Sequence, residues 1–270
     1  MVSNNTINGK YIDWVFFDIG NVLFYDLPLL ARIWRHFYLT LSQAGLKQSY
    51  SEVIAERENI LRNHPPEDNP RRLIAQSFAS HIPEEARRRA TDQWLHLYPG
   101  ANLLVPGSVE VIETLKPDYR LGIIANQPEL ALAELEKFGL KDKFEAIIIS
   151  DVVGYHKPDI RIFEEALRQA GANPSRSVMV GDRIDNDVRP AKRLGFRTVW
   201  LDMDFRKMDY APPDEYERLY IESYLRITGV DQGIKAESDR PDAVIRELGE
   251  LPGALNSINI GRTEMAEVTA

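Results

Sequence analysis

The sequence predicts an α/β protein: a doubly wound parallel sheet with a helical domain inserted after its first strand. Three observations predict it. Strands and helices alternate regularly after Pro99-Gly100. Polar residues fall just past the predicted strand ends. Between Leu27 and Leu97 the texture is helical throughout. Alternation of this kind implies parallel strands with helices on both faces.

The elements follow in order. Tyr11 to Phe17 is short, apolar and aromatic, and Gly20-Asn21 breaks the chain just beyond it, as at the exit of a buried strand. Leu30, Ile33, Trp34, Phe37 and Leu41 then recur at helical spacing. Segments Tyr50–Asn63, Pro70–Ser80 and Glu84–Leu97 also read as helices, separated by breaks such as His64-Pro65-Pro66. Trp34, Phe37 and Tyr38 are expected in the core of this block. Next come a helix at Ser108–Lys116, with Val109, Ile112 and Leu115 on one side, and a strand at Arg120–Ala125. Helix Pro128–Phe138, strand Ala146–Ser150, helix Asp159–Ala170, strand Val178–Val180, helix Asn186–Leu194 and strand Arg197–Leu201 complete the alternation. Asp18, Asn126, Asp151 and Asp182 lie just past strand ends, where parallel sheets carry their sites. A domain inserted near such a rim is a natural lid.

Composition narrows the function. The chain has 270 residues, 44% hydrophobic and 27% charged, ordinary for a soluble globular protein. Its formal net charge is −8, which argues against nucleic acid and anionic membranes as partners but leaves room for a small phosphorylated ligand. There are no cysteines, which excludes disulfides, thiol catalysis and cysteine metal sites. The opening MVSNNTINGK has no apolar signal core, and no run reaches the roughly 18 apolar residues of a membrane helix. A cytoplasmic location is expected.

Four stretches carry the chemistry. FFDIGN supplies a carboxylate, Asp18, at a strand exit. GIIANQ supplies a hydrogen-bonding turn at Ala125-Asn126. GYHKPDIRIF places Lys157 ahead of a helix, and VMVGDRIDNDV gathers Asp182, Asp185 and Asp187. This set suits phosphoryl transfer. An aspartate can attack phosphorus and form an acyl phosphate. Mg²⁺ is a hard ion that takes one or two carboxylates, water and a substrate oxygen. A cation offsets the repulsion between nucleophile and phosphate.

In this order the four stretches resemble the motifs of the haloacid dehalogenase-like hydrolase superfamily, mostly phosphatases. The resemblance covers roughly Tyr11 to Leu201 and resumes at PDAVIRELGELPGAL, similar to the family's closing strand and helix. The helical block is similar to the cap found between the first and second motifs in one branch. The resemblance implies a Rossmann-like catalytic core over residues 11–24 and 98–255, and a helical cap domain over 25–97. It implies Asp18 as nucleophile and Mg²⁺ ligand, with the Gly20 carbonyl as a further ligand. Lys157 would hold the phosphoryl group and the nucleophile. Ala125 and Asn126 would form the phosphate-binding turn. Asp182 would bind the metal, and Asp187 would support the metal shell or pair with Lys157.

Two positions depart from the pattern. Many family phosphatases carry an acid two residues after the nucleophile, where this chain has Gly20, and a Ser or Thr before the motif's Asn, where it has Ala125. A missing general acid typically costs about 10²–10⁴-fold. The F-D-x-G-N-V form resembles a subgroup that includes sugar-phosphate phosphatases, and a good leaving group such as an anomeric sugar phosphate needs less acid help. Asp26 or water is a candidate proton source, although a helix-cap role explains Asp26 equally well.

Plainer readings stand beside these. Asp182 and Asp187 also fit as helix-start acids, and Lys157 as a surface lysine. Asp185 reads as a solvated helix-start residue, His156 as a loop histidine. Arg71-Arg72 and Arg87-Arg88-Arg89 read as solvated faces, with a lesser chance of steering an anionic substrate. Residues 204–239 form an insertion with one amphipathic helix, whose Tyr216, Leu219, Tyr220, Tyr224 and Ile227 stripe is expected by default to dock on the core, with a second subunit or the cleft as the other surfaces it could cover. Residues 256–270 are expected to be a loose tail.

The function expected is a Mg²⁺-dependent phosphomonoesterase for a small phosphorylated metabolite, acting through an aspartyl-phosphate, as a monomer or homodimer. The alternative is a non-catalytic phosphometabolite-binding protein, with Gly20 and Ala125 as marks of decay. A metal-independent dehalogenase is disfavoured by the acidic GDRIDND cluster.

Overall fold

The computed structural model describes residues 11–63, 69–227, 234 and 236–268, with side chains through 260. The segment Met1–Lys10 and the break His64-Pro65-Pro66 lie outside the described residues, as do residues 228–233 and 235 of the insertion and the last two residues. The strands are β1 Trp14–Phe17, β2 Phe24–Tyr25, β3 Leu103–Leu104, β4 Arg120–Ala125, β5 Ala146–Ile149, β6 Ser177–Gly181, β7 Arg197–Leu201 and β8 Ala243–Ile245. Six form one sheet in the order β5-β4-β1-β6-β7-β8, and its pairings are parallel. β1 sits centrally, with β4 on one side and β6 on the other, so strand order reverses about it. In such sheets the crevice forms at the carboxyl ends of the strands flanking the reversal.

The sheet is apolar because both faces are covered. Trp14, Phe16, Ile124, Ile148 and Met179 pack on one face with Ile162, Phe163 and Ala166 of helix Ile160–Ala170. Gly122 makes this possible, since a Cβ there would meet the Phe16 ring. Asp159 caps the helix by accepting from Arg161 N–H at 3.0 Å, and Gly171 ends it at φ 59°. Pairing reaches one residue ahead of β1, where Asp13 N–H donates to Arg176 O and Asp13 O accepts from Arg120 N–H. In helix Ser108–Leu115, Val111 joins Ile112 and Leu115 on the buried face, while Val109 is half-buried.

The chain divides into two compact units. One holds Met1–Tyr25, Leu104–Asp204 and Gln232–Ala270; the other holds Asp26–Leu103 and Phe205–Asp231. The second unit contains helices Leu27–Gln43, Tyr50–Asn63, Pro70–Ser77 and Glu84–Asp92. Pro28 and Pro70 open two of them, where a missing N–H costs nothing. Ser49 and Glu52 form a reciprocal cap on a third, at 2.7 and 3.3 Å. Trp34, Phe37, Leu41, Val53, Ile54 and Ile74 form this unit's core.

Two expectations are corrected. The amphipathic helix of the insertion, Glu215–Ile227, belongs to the helical unit. Tyr220 is buried in the core of the helical unit, with Tyr216, Leu219 and Tyr224 packed against it. Buried Arg57 fixes the choice: it donates to Ser223 Oγ at 3.0 Å and lies over the Tyr220 ring at 4.7 Å. Residues 256–268 are not a loose tail but part of helix Leu251–Val268. Asn259 anchors that stretch, accepting from Ile12 N–H at 2.9 Å and pairing with the Tyr119 hydroxyl at 3.1 Å. Its holding contacts are polar, so no apolar period marks them.

Candidate active site

The site forms at the carboxyl ends of β4, β1 and β6. Asp18 follows β1 and is 8% exposed. Its N–H donates to Val180 O at 2.9 Å, which carries the pairing one residue past the strand, and its Oδ1 accepts from Ile19 N–H at 2.7 Å. Lys157 reaches in from the loop after β5. It is 4% exposed, and its ammonium lies 2.9 Å from Asp18 Oδ2 and 2.6 Å from Asp187 Oδ1. A surface-lysine reading therefore fails.

Asp187 is fully buried because the chain after Asp182 takes a wide turn, Ile184–Val188, with Val188 N–H donating to Arg183 O at 3.3 Å. Wide helical turns of this type are frequent at functional sites. The turn brings Asp187 back over Gly181, where a Cβ would collide with the Asp187 side chain. Asp187 Oδ2 accepts from Arg183 N–H at 3.0 Å, so both of its oxygens are engaged. Asp182 Oδ2 accepts from Asn21 Nδ2 at 3.0 Å, and Asp182 O accepts from the Trp200 indole at 2.9 Å.

Burial pushes the Asp187 carboxyl up to about 6, and the nearby Asp18 charge adds to the rise while Lys157 opposes it. Burial alone works to lower the Lys157 pKa, but the charges of Asp18 and Asp187 outweigh it and the net shift is upward. Ligand oxygens of Asp18, Asp182 and Asp187 lie within 4.8 Å of one another. One ammonium among three carboxylates leaves an excess of negative charge and a set of hard oxygen donors. That donor set fits Mg²⁺.

The other expected residues fall as follows. Ala125 ends β4 and is fully buried. Asn126 does not simply face a ligand: its side chain accepts from Lys157 N–H at 2.7 Å and donates to Lys157 O at 2.8 Å. Gly20 bridges to Phe24 in the loop after Asp18. Asp151 is exposed and outside the carboxylate group. Asp185 is paired with Arg183 at 2.6 Å, as a helix-start acid would be. His156 is exposed, its carbonyl accepting from Asp159 N–H at 2.9 Å. Asp26 occupies the N-cap position of helix Leu27–Gln43 but makes no side-chain cap bond. Arg71 departs from the solvated-face reading, because its Nη1 is buried without a hydrogen bond. Sequence reasoning missed Asn21 as a site residue. Its signal was an asparagine at a tight turn, a residue type that tolerates left-handed backbone.

Fold and site together define a parallel-sheet protein with a carboxylate–lysine centre at its strand ends. The family model for haloacid dehalogenase-like hydrolases matches residues 12–195, and the chain belongs to that family. A glyceraldehyde 3-phosphate phosphatase from Methanopyrus kandleri is 28% identical over 230 residues, 76% of this chain and 92% of that protein. A phosphoserine phosphatase from Thermus thermophilus is 33% identical, over 68% of this chain and 69% of the relative. A pyrimidine 5'-nucleotidase from Escherichia coli is 39% identical over 106 residues, 38% of this chain and 47% of the relative's own length. Among solved structures, a 2-haloacid dehalogenase from Pseudomonas syringae shares the fold at 23% identity and TM-score 0.58, covering 91% of this chain and 99% of that one.

Proposed function

We propose that the protein is a Mg²⁺-dependent phosphomonoesterase acting on a small phosphorylated metabolite. The observation that carries this reading is the Lys157 ammonium held between Asp18 and Asp187, with Asp182 in the same carboxylate group. The phosphatase names of the relatives above support it. The carboxylate excess favours it over metal-independent dehalogenation.

Asp18 is the nucleophile. One of its carboxylate oxygens bonds to phosphorus while the ester P–O bond breaks and the leaving alkoxide takes its proton from water. Water then hydrolyses the aspartyl-phosphate, releasing phosphate and restoring the carboxylate. Lys157 lowers the repulsion between Asp18 and the incoming anion, and Asp187 holds Lys157 in place. Asp18, Asp182 and the Gly20 carbonyl are the residues that would hold Mg²⁺, with Asp187 behind them. When bound, the ion supplies positive charge to nucleophile and phosphate. Backbone N–H groups at Ala125-Asn126 bind phosphate oxygens, and the Asn126 side chain positions Lys157. With glycine at position 20, a good leaving group is favoured.

Phosphate release from a broad phosphomonoester panel, with and without Mg²⁺, tests the proposal. Metal-dependent release supports it. Mg²⁺-dependent ligand binding without release would replace it with a non-catalytic binding role.

A further inference from the structure

We infer that Asn21 is a positioning residue for Asp182, setting that carboxylate for a divalent cation; the inference rests on the metal-dependent reading above. Asn21 is buried and holds φ 53°, a left-handed conformation that asparagine tolerates better than most residues. The loop around it is fixed by its own backbone. Ile19 O accepts from the N–H groups of Leu23 and Phe24 at 2.8 and 3.0 Å, and Asn21 N–H donates to Phe24 O at 2.6 Å. The side-chain amide is thereby presented to Asp182 Oδ2 at 3.0 Å, across 161 residues of sequence. On the other side, the Trp200 indole holds the Asp182 carbonyl at 2.9 Å.

The choice of an amide has a physical reason. The Lys157 ammonium contacts Asp18 and Asp187, so its single positive charge is directed at those two carboxylates. A second cation on Asp182 would compete with a metal ion for the same oxygens. An amide donor orients the carboxylate, keeps it close to two like charges, and leaves its charge in place. Outer-shell partners of metal ligands work in this way, and their loss typically weakens metal affinity about 10–100-fold.

Asn21→Gly removes the amide and accepts the same backbone conformation. Titration calorimetry with MgCl₂ on the full chain should show binding weakened by about 10–100-fold. The Mg²⁺ concentration for half-maximal phosphate release should rise in parallel. Wild-type affinity in Asn21→Gly overturns the inference and leaves the phosphatase reading standing. Absence of Mg²⁺ binding by the wild-type protein overturns the metal reading and the inference with it. If Asn21→Gly does not fold, Asn21→Ala also removes the amide and should weaken Mg²⁺ binding; unchanged affinity there overturns the inference.

Discussion

The Lys157 ammonium lies between Asp18 Oδ2 at 2.9 Å and Asp187 Oδ1 at 2.6 Å, so one buried cation holds carboxylates from two distant motifs. Removing it should strip the fully buried Asp187 of the cation that favours its ionised form. Lys157→Met is expected to lower stability by about 3–5 kcal/mol in urea unfolding and to abolish turnover. Asp18→Asn should abolish turnover at much smaller cost in stability, because Asp18 is at the rim. Substantial activity in Asp18→Asn would remove Asp18 from the nucleophile's role.

Asp182 tests the metal. Asp182→Ala should raise the Mg²⁺ concentration needed for half-maximal phosphate release by more than about tenfold. A metal titration that superimposes on wild type would show that Asp182 is no ligand.

Asn126 bonds both main-chain polar groups of Lys157. Asn126→Ala should therefore cost about 1–3 kcal/mol and reduce kcat by loosening the lysine. Asn126→Asp keeps the acceptor for Lys157 N–H and loses the donor, so its stability should fall between the two. Equal stability of all three proteins would contradict the clamp.

The insertion helix belongs energetically to the helical unit. Tyr220 is 2% exposed and stacks on Trp34 with ring centroids 6.0 Å apart. Tyr220→Ala should cost about 3–5 kcal/mol, as expected for a large aromatic removed from a core. A loss below about 1 kcal/mol would show that the helix is peripheral.

Asp242 sets an acid-sensitive link at β8. Burial opposes its ionisation, but hydrogen bonds from Arg197 at 2.6 Å and Thr198 N–H at 2.9 Å, with the Lys192 charge, hold its carboxyl below the ordinary 3.8. A depressed carboxyl contributes stability above its unfolded pKa and loses it as pH falls through its folded pKa. Asp242→Asn should be less stable than wild type at neutral pH, and the gap should close as pH drops below 3.8. A gap that persists unchanged into strong acid would assign the effect to packing.

The sequence by itself determined the alternation of strands and helices, because apolar period and turn residues are local properties. It also placed Asp18, Lys157 and Asp182 at strand ends or the loops beyond them, since a parallel sheet puts those ends on one rim. Tertiary structure decided what each side chain does there. Asp187 engages Lys157 and Arg183 N–H because the wide turn after Asp182 folds it back over Gly181. Asn126 serves the Lys157 backbone, and Asn21 serves Asp182, through contacts 31 and 161 residues apart. Helix Glu215–Ile227 joined the helical unit because Arg57 and Trp34 supply partners for Tyr220 that its own stripe cannot name. An amphipathic stripe states that a face must be buried; only the assembled neighbours decide against what.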